Sequence, residues 1–509
     1  MNRTSRALRA AALFTGFGYA AQVLSLGAVP LYLQTIGANS YGLMVSTMAF
    51  MGYLNFADAG LSWGSIILIG QAHGRQDRDL IGKIVRNSIV LAAMSGAVIA
   101  VAVTALLWCG SRGYRLPMFA GNPETDVLIA IVGTQLIITL QGGVFYNLFQ
   151  GLQEAYWTAF YQGVGRLASI CAMMIVAWSV RTVAAIMLTQ LVVTAMVAFA
   201  SAVHAWRRHT WVFNGTSWID PDQIRQQIRT GLKVFALQIG RTLVSSAPVM
   251  VLSSTIGPAA VPLYTVPTTI LTLLFMPLNA WSTSLQSAYG EAWTSGNRAW
   301  VVKTFRSTIE RGLFWGAGGA ALFLPLASPF VTLWTNGRLV LPPWMPLAVA
   351  TICFVGWFEM AGQYLLSGLN LQRKVAAAEI VCGLLVLVVS PWTVRWLGPA
   401  GIGLGFLIPA LATSIRLVFS EVRAHVGAAA FPGWNLFWRV GLVWVVAAGL
   451  GSGFMISLDG GDWPRRLATM GGSALLTLVL FGGVSLLVRL DFIAEAVRHL
   501  AGGLRGRNP

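Results

Sequence analysis

Charged side chains interrupt several long apolar stretches of this sequence. Asp58, Arg241 and Glu359 each lie inside an apolar segment that is long enough to span a membrane. A charged side chain at the centre of a bilayer costs about 2.5 to 3.5 kcal/mol, so such residues face a partner or a water-filled cavity. Arginine suits a phosphate, because its planar guanidinium donates two parallel hydrogen bonds. A partly buried carboxylate suits proton coupling or gating.

Polar side chains recur on single helical faces around these charges. We predict that a substrate cavity is lined by Arg241, Arg166, Gln22, Asn55, Gln238 and Asn279, and that coupling or gating involves Asp58 and Glu359. Structural roles stay open for all of them, because polar stripes also join membrane helices by hydrogen bonds. Arg241 in particular could form an ion pair with Asp58 or Glu359.

The composition indicates the kind of protein that must position these residues. The 509 residues are 56% hydrophobic and 10% charged, with a mean hydropathy of +0.69. Soluble proteins carry about 25% charged residues. Because about 20 apolar residues cross a bilayer as a helix, we predict an all-α polytopic membrane protein with about 14 transmembrane helices. The predicted spans are 11–34, 42–70, 84–108, 126–150, 157–180, 183–205, 233–256, 260–289, 312–334, 344–368, 375–396, 401–424, 436–457 and 468–488.

The basic residues predict the orientation of the chain in the membrane. Most of the 34 Lys and Arg residues, which give a formal net charge of +17, fall in alternate connections. The positive-inside rule places these connections and both termini in the cytoplasm. Because the positive charge then faces anionic lipid headgroups, it gives no support to nucleic-acid binding and indicates the lipid bilayer as a partner.

The longest connection, residues 206–232, divides the predicted spans into two groups. Asp220 and Pro221 have the sequence of a helix start, and apolar residues follow at every fourth position. We predict a cytoplasmic linker with an amphipathic helix that lies on the membrane surface. The N-lobe, residues 1–205, then holds spans 1 to 6, and the C-lobe, residues 233–426, holds spans 7 to 12. Residues 427–509 hold spans 13 and 14 and a cytoplasmic tail.

A faint repeat relates the two lobes. At one constant separation along the chain, Thr35, Ile36 and Gly37 recur as Thr255, Ile256 and Gly257, and Lys83, Arg86 and Ile89 recur as Lys303, Arg306 and Ile309. An even number of spans separates the copies. We therefore predict two six-helix lobes in a parallel, pseudo-twofold repeat about the membrane normal, plus two extra C-terminal helices.

The sequence lacks the nucleotide-binding motif GxxxxGK[ST] and the zinc-protease motif HExxH. The four cysteines lack CxxC spacing. We therefore expect no enzyme activity, no cofactor and no metal site.

Residues 30–64, PLYLQTIGANSYGLMVSTMAFMGYLNFADAGLSWG, resemble the polysaccharide-exporter and O-antigen flippase family of the multidrug/oligosaccharidyl-lipid/polysaccharide exporter superfamily. The matching features are Pro30, Gly37, the Tyr41-Gly42 pair, and FADAGL with Asp58, Gly60 and Leu61. The resemblance implies a two-lobed transporter of the bacterial inner membrane, whose cavity is lined by spans 1, 2, 7 and 8. It implies movement of polyprenyl-diphosphate-linked oligosaccharide to the periplasmic leaflet by alternating access. Polysaccharide polymerases and glycosyltransferases are the implied protein partners.

Two other functions stay open. One is a membrane-embedded glycosyltransferase or polymerase of the same pathway, and the other is a drug or cation antiporter of the same superfamily. The drug-extruding branch has twelve spans and acidic cation sites, whereas fourteen spans and Arg241 favour an anionic substrate. The peptidoglycan-precursor flippases carry arginines in the first span, whereas this first span has no charge.

Overall fold

The structure is a computed structural model, and it describes residues 3–54, 61–112, 124–214, 219–433 and 463–487, with isolated residues between 435 and 449. All regular secondary structure in these residues is helical. Nine segments within them are long and apolar enough to cross a membrane, as expected for the predicted all-α polytopic class. The total of fourteen spans stays a prediction.

Fifteen helices are numbered here within the described residues. The first seven are α1 (Arg3–Thr35), α2 (Gly37–Leu54), α3 (Leu61–Gly74), α4 (Arg78–Ser111), α5 (Thr125–Gly151), α6 (Ala155–Ser179) and α7 (Val183–Arg208). The others are α8 (Pro221–Thr255), α9 (Val261–Thr294), α10 (Arg298–Trp334), α11 (Met345–Gly368), α12 (Gln372–Leu397), α13 (Ile402–Ala412), α14 (Ser414–His425) and α15 (Trp463–Leu487). Short 3₁₀ turns occupy Thr210–Val212, Pro258–Ala260, Gly398–Gly401 and Ala428–Ala430.

Large apolar side chains lie on the outer faces of these helices. Val101 on α4 is 71% exposed, and Phe199 on α7 is 73% exposed. A soluble monomer rarely exposes such apolar surface, whereas lipid tails cover it without cost. The exposed faces therefore agree with a multi-pass membrane protein.

Helix α8 joins two elements that the sequence analysis treats separately. Its start is confirmed, because the Asp220 side chain accepts a hydrogen bond from the Gln223 backbone N–H at 3.2 Å. The helix continues to Thr255, so the amphipathic segment and the predicted seventh span form one continuous α-helix. The helix continues because no proline interrupts residues 222–247 and Gly231 is accommodated within it. The cytoplasmic position of the linker, residues 206–232, stays a prediction.

The chain divides into two compact units. The first unit comprises residues 1–266 and 373–409, and the second comprises residues 267–372 and 410–509. The chain passes between them inside α9 at Pro267, beside the first residue of α12, and inside α13 after Pro409. These units begin and end at other residues than the lobes predicted from the sequence.

Turn positions show the predicted repeat directly. Residues with left-handed backbone conformation recur in pairs: Gly37 and Gly257, Gln76 and Gly296, Gln153 and Asn370, Arg181 and Gly398. The first two pairs have the same separation along the chain as the sequence repeat, and the other two pairs share a slightly shorter one. The helix start after the second pair also recurs, because Asp77 and Asn297 each cap the backbone N–H three residues later. The two halves therefore share one order of turns.

A close glycine crossing recurs at equivalent positions of the two halves. In the second unit, a Cβ built on Gly290 of α9 would lie 2.8 Å from the carbonyl oxygen of Gly368 on α11. In the first unit, a Cβ built on Gly70 of α3 would lie 3.8 Å from the carbonyl oxygen of Gly151 on α5. The missing side chains let the helix backbones approach closely, as small residues do in membrane proteins.

Polar contacts hold the start of α8, and the segment before it, against α4. Arg86 donates through Nη1 to the carbonyl oxygen of Val212 at 2.7 Å, and Gln227 donates through Nε2 to the carbonyl oxygen of Ile84 at 2.8 Å. The backbone N–H of Asp220 donates to Asn87 Oδ1 at 3.1 Å. We call these contacts the polar clamp. The segment that follows α7 is therefore fixed to the first unit.

Candidate functional site

The polar stripe predicted on α8 forms one face of that helix. Gln238, Arg241 and Ser245 follow one another at intervals of three and four residues. Arg241 and Ser245 are exposed, and Gln238 is half-buried. The Oε1 atom of Gln238 has no hydrogen-bond partner among the described residues. The stripe therefore combines an exposed cation with a buried acceptor one helical turn away.

Neighbouring helices of the first unit cover the other faces of α8. Gly52 of α2 lies against Thr242 and Ser246, where a Cβ would be 3.2 Å from Ser246 Oγ. Gly240 lies against Glu379 of α12, and Gly383 of α12 lies against Leu243. Because these contacts occupy two faces, the stripe with Arg241 is left on a third.

Gln22 and Arg166 lie on two helices that are in extensive contact, α1 and α6. Phe17 of α1 seats against Gly163 of α6, and its ring meets that of Phe160 edge-on at 6.5 Å between centroids. Gln22 is half-buried, and Arg166 is exposed. The structure thus places two of the predicted cavity residues on adjoining helices.

Asn279 and Glu359 belong to the second unit. Asn279 of α9 is half-buried, and its Oδ1 atom has no hydrogen-bond partner among the described residues. Glu359 of α11 is 5% exposed and accepts a hydrogen bond from Gln363 Nε2 at 3.4 Å, one helical turn away. Asn55 and Asp58 lie outside the described residues, between α2 and α3.

Sequence reasoning missed a buried acid. Glu379 lies near the start of a predicted span, and this position suggests that its carboxylate reaches the membrane surface. In the structure, however, Glu379 is only 3% exposed and lies against Gly240. The reason is that a glycine at position 240 admits the backbone of α12 close to α8. Two glycines on facing helices, Gly240 and Gly383, are the signal that could have found this contact.

A second missed feature is an ion-pair cluster between α5, α6 and α7. Glu154 accepts hydrogen bonds from Arg208 at Nε, 3.1 Å, and at Nη2, 3.0 Å, and lies 3.3 Å from Nε2 of His209. The sequence indicates only a basic end of α7 and an acid before α6. Within the described residues, no group of three His, Cys, Asp or Glu side chains could hold a metal ion.

Comparisons with known proteins connect this fold to a family. A family model described as polysaccharide biosynthesis protein matches residues 7–285, from α1 to most of α9. No curated protein gives a significant match. The lipid II flippase MurJ in an inward closed conformation superposes with a TM-score of 0.70 at 12% identity, over 94% of this chain and 99% of that chain.

Two further solved structures have the same fold. An inward-facing multidrug resistance MATE family transporter of the MOP superfamily gives a TM-score of 0.62 at 16% identity, over 82% of this chain and 98% of that chain. A MOP superfamily transporter from Pyrococcus furiosus gives 0.59 at 17% identity, over 85% and 98%. At these identities the likeness shows the fold alone. The resemblance found in residues 30–64 is confirmed: the chain has the fold of MOP superfamily transporters and belongs to the polysaccharide biosynthesis protein family.

Proposed function

We propose that this protein is a flippase that moves polyprenyl-diphosphate-linked oligosaccharide across the bacterial inner membrane by alternating access, for surface or exopolysaccharide synthesis. The observation that carries the proposal is the polysaccharide biosynthesis family match over residues 7–285. That range includes α1, the helices of the polar clamp and the whole Arg241 stripe. The expected partners are polysaccharide polymerases and glycosyltransferases of the same pathway.

The α8 stripe is the proposed contact for the diphosphate. Arg241 is exposed on a face that neither α2 nor α12 covers, so its guanidinium can reach an anionic group. The Gln238 amide, on the same face of α8 as Arg241, suits a sugar hydroxyl, and Asn279 stays a predicted cavity residue. Arg166 and Gln22 on the adjoining helices α6 and α1 extend the same polar chemistry.

Asp58 and Glu359 are the proposed coupling or gating residues. A carboxylate can couple protons to transport if it is charged in one access state and neutral in the other. Glu359 is buried and hydrogen-bonded within α11, which suits a group that exchanges between these states. On this proposal Asp58→Asn removes the dependence of transport on a pH gradient and leaves substrate binding largely intact.

A drug or cation antiporter is the second candidate, because multidrug transporters of the MATE family share the fold. The exposed Arg241 favours an anionic substrate over a cationic drug. A membrane-embedded transferase would instead make new glycosidic bonds. We propose that the protein has no catalytic activity, in line with its fold relatives, which are transporters and a flippase.

The test uses purified protein in liposomes that contain a fluorescent polyprenyl-diphosphate disaccharide. A membrane-impermeant quencher added outside reports how much lipid has crossed the bilayer. We expect movement by the wild type, loss of movement in Arg241→Ala, and partial recovery in Arg241→Lys, because lysine is a point charge without a bidentate fork.

The matched control is Arg229→Ala, which removes another exposed arginine from the same helix. Chromatography of the lipid after the assay separates transport from synthesis, since a longer glycan would indicate an enzyme. Absence of movement by folded wild type, or proton-driven efflux of a cationic dye in its place, would refute the flippase proposal.

A further inference from the structure

A polar cavity of about 690 Å³ opens among the helix ends of the first unit, away from the α8 stripe. The turn between α3 and α4 contributes His73, Gly74, Gln76 and Arg78, and Glu154, His209 and Trp211 come from the turns after α5 and α7. Its volume lies within the range of about 300 to 1,000 Å³ that is typical of ligand pockets. We call this space the loop cavity.

Glu154 is the one carboxylate among the described lining residues of the loop cavity, and an ion pair with Arg208 balances its charge. Both oxygens of Glu154 accept hydrogen bonds from Arg208, and His209 lies 3.3 Å from Oε2. Burial alone would raise the pKa of Glu154, but the hydrogen bonds from His209 and Arg208 outweigh it and lower the pKa to about 2. The ion pair therefore leaves the charge of Arg78 uncompensated among these lining residues.

The cavity combines this cation with a flat apolar surface. The guanidinium carbon of Arg78 lies 5.6 Å from the ring centroid of Trp211, and the His209 and Trp211 rings are nearly perpendicular with their centroids 6.2 Å apart. Arginine and imidazole groups bind phosphate oxygens, while an indole face covers the C–H groups of a sugar or glycerol. Gln76 adds an amide at the exposed rim.

We propose that the loop cavity binds a phosphate group attached to a sugar or glycerol moiety. The position of the cavity favours a lipid headgroup as the source, because it lies at the ends of apolar helices, on the side that the positive-inside rule predicts to face anionic lipid. A soluble sugar phosphate has the same chemistry and is the other source to be tested. The proposal does not depend on the flippase proposal, since it concerns other residues and a binding measurement.

The experiment measures binding to the full-length protein in detergent. Native mass spectrometry counts bound phosphatidylglycerol against phosphatidylcholine, and calorimetry measures binding of glucose 1-phosphate. Arg78→Ala should weaken binding of the phosphate probe by about tenfold or more, as expected for loss of a charged hydrogen bond. Arg75→Ala, an exposed arginine of the same turn outside the lining, is the matched control.

A second variant tests the cavity without removing a charge. A Cβ built on Gly74 meets nothing within 4 Å, so the side chain of Gly74→Phe starts in open space among the lining residues. If both variants lose one bound phosphatidylglycerol, the ligand is a lipid headgroup. If they lose binding of glucose 1-phosphate, the ligand is a soluble sugar phosphate. If neither probe binds, or if both variants bind as the wild type does, the proposal is overturned.

Discussion

Arg86 of α4 donates a buried hydrogen bond to the carbonyl oxygen of Val212, 126 residues further along the chain. The Arg86 side chain therefore holds the segment after α7 against α4, the third of the first six predicted spans. The same residue type recurs at the equivalent position of the repeat as Arg306, but there it pairs with Glu310 at 2.9 Å on an exposed surface. The arginine therefore recurs at the equivalent position of the repeat, but it has a different partner in each half.

Arg86→Met should destabilise the protein by about 2 kcal/mol, because it leaves the buried Val212 carbonyl without this donor. Arg306→Met should change stability by less than about 0.5 kcal/mol, since an exposed pair contributes little. The measurement is the apparent midpoint of thermal unfolding in detergent. Equal shifts for the two variants would contradict the role assigned to Arg86.

The Glu154 cluster predicts a pH dependence of stability. The folded-state pKa of Glu154, about 2, lies below its ordinary value of 4.5, because the hydrogen bonds from His209 and Arg208 outweigh burial. The charged form thus stabilises the fold fully above about pH 4.5, and this contribution is lost as the pH falls toward 2. Glu154→Gln should lower the unfolding midpoint at pH 7, and its difference from the wild type should shrink below pH 4.5.

Glu291→Gln is the control for that prediction, because it removes an exposed carboxylate from the end of α9. Its difference from the wild type should be small at every pH. A constant difference between Glu154→Gln and the wild type from pH 7 to pH 3 would contradict the cluster's role.

We expect an added methyl group to destabilise the protein at a glycine where two helices cross closely, but not at a glycine that faces open space. Gly290→Ala would place Cβ 2.8 Å from the Gly368 carbonyl oxygen, which should cost about 1 to 3 kcal/mol through overpacking. Gly356→Ala, in the same helix as Gly368, meets nothing within 4 Å and should be neutral or stabilising. Thermal unfolding midpoints check both, and equal midpoints for the two variants would argue against a tight crossing.

The predicted orientation in the membrane is testable at sites that the structure shows to be exposed. Single cysteines at Asn39, Ser111 or Gly337, in a cysteine-free background, should react with an impermeant thiol reagent added to intact spheroplasts. Cysteines at Gln76, Gln226 or Gly296 should react only after lysis. All six positions are exposed, so absence of labelling reflects the side of the membrane. Labelling of the second group in intact cells would overturn the predicted topology.

Local patterns were sufficient for several of the helices and for the repeat. Apolar segments of span length became α4 to α7 with ends close to those predicted. The matching Gly37 and Gly257 have a physical reason, since both adopt left-handed backbone angles at the turn before a helix or a 3₁₀ turn. Such signals lie within a few residues of each other, so a single sequence displays them.

Contacts between distant segments could not be predicted in the same way. The burial of Glu379 depends on which helix meets Gly240, and the partner of Arg86 is a backbone carbonyl that any residue at position 212 would supply. The continuity of α8 was missed because an amphipathic pattern and an apolar pattern follow each other, and each one alone suggests its own helix. Asp58, the most prominent charge in the sequence, lies outside the described residues and stays a prediction.

Each passage of the chain between the two compact units lies where the helical hydrogen-bond ladder is weakened. Pro267 interrupts α9, Pro409 interrupts α13, and the turn before α12 carries Asn370 in a left-handed conformation. A proline removes one backbone donor and lets a helix bend, and a left-handed residue turns the backbone sharply. Each passage therefore has, within a few residues, a position at which the backbone can change direction while the helices on either side stay intact.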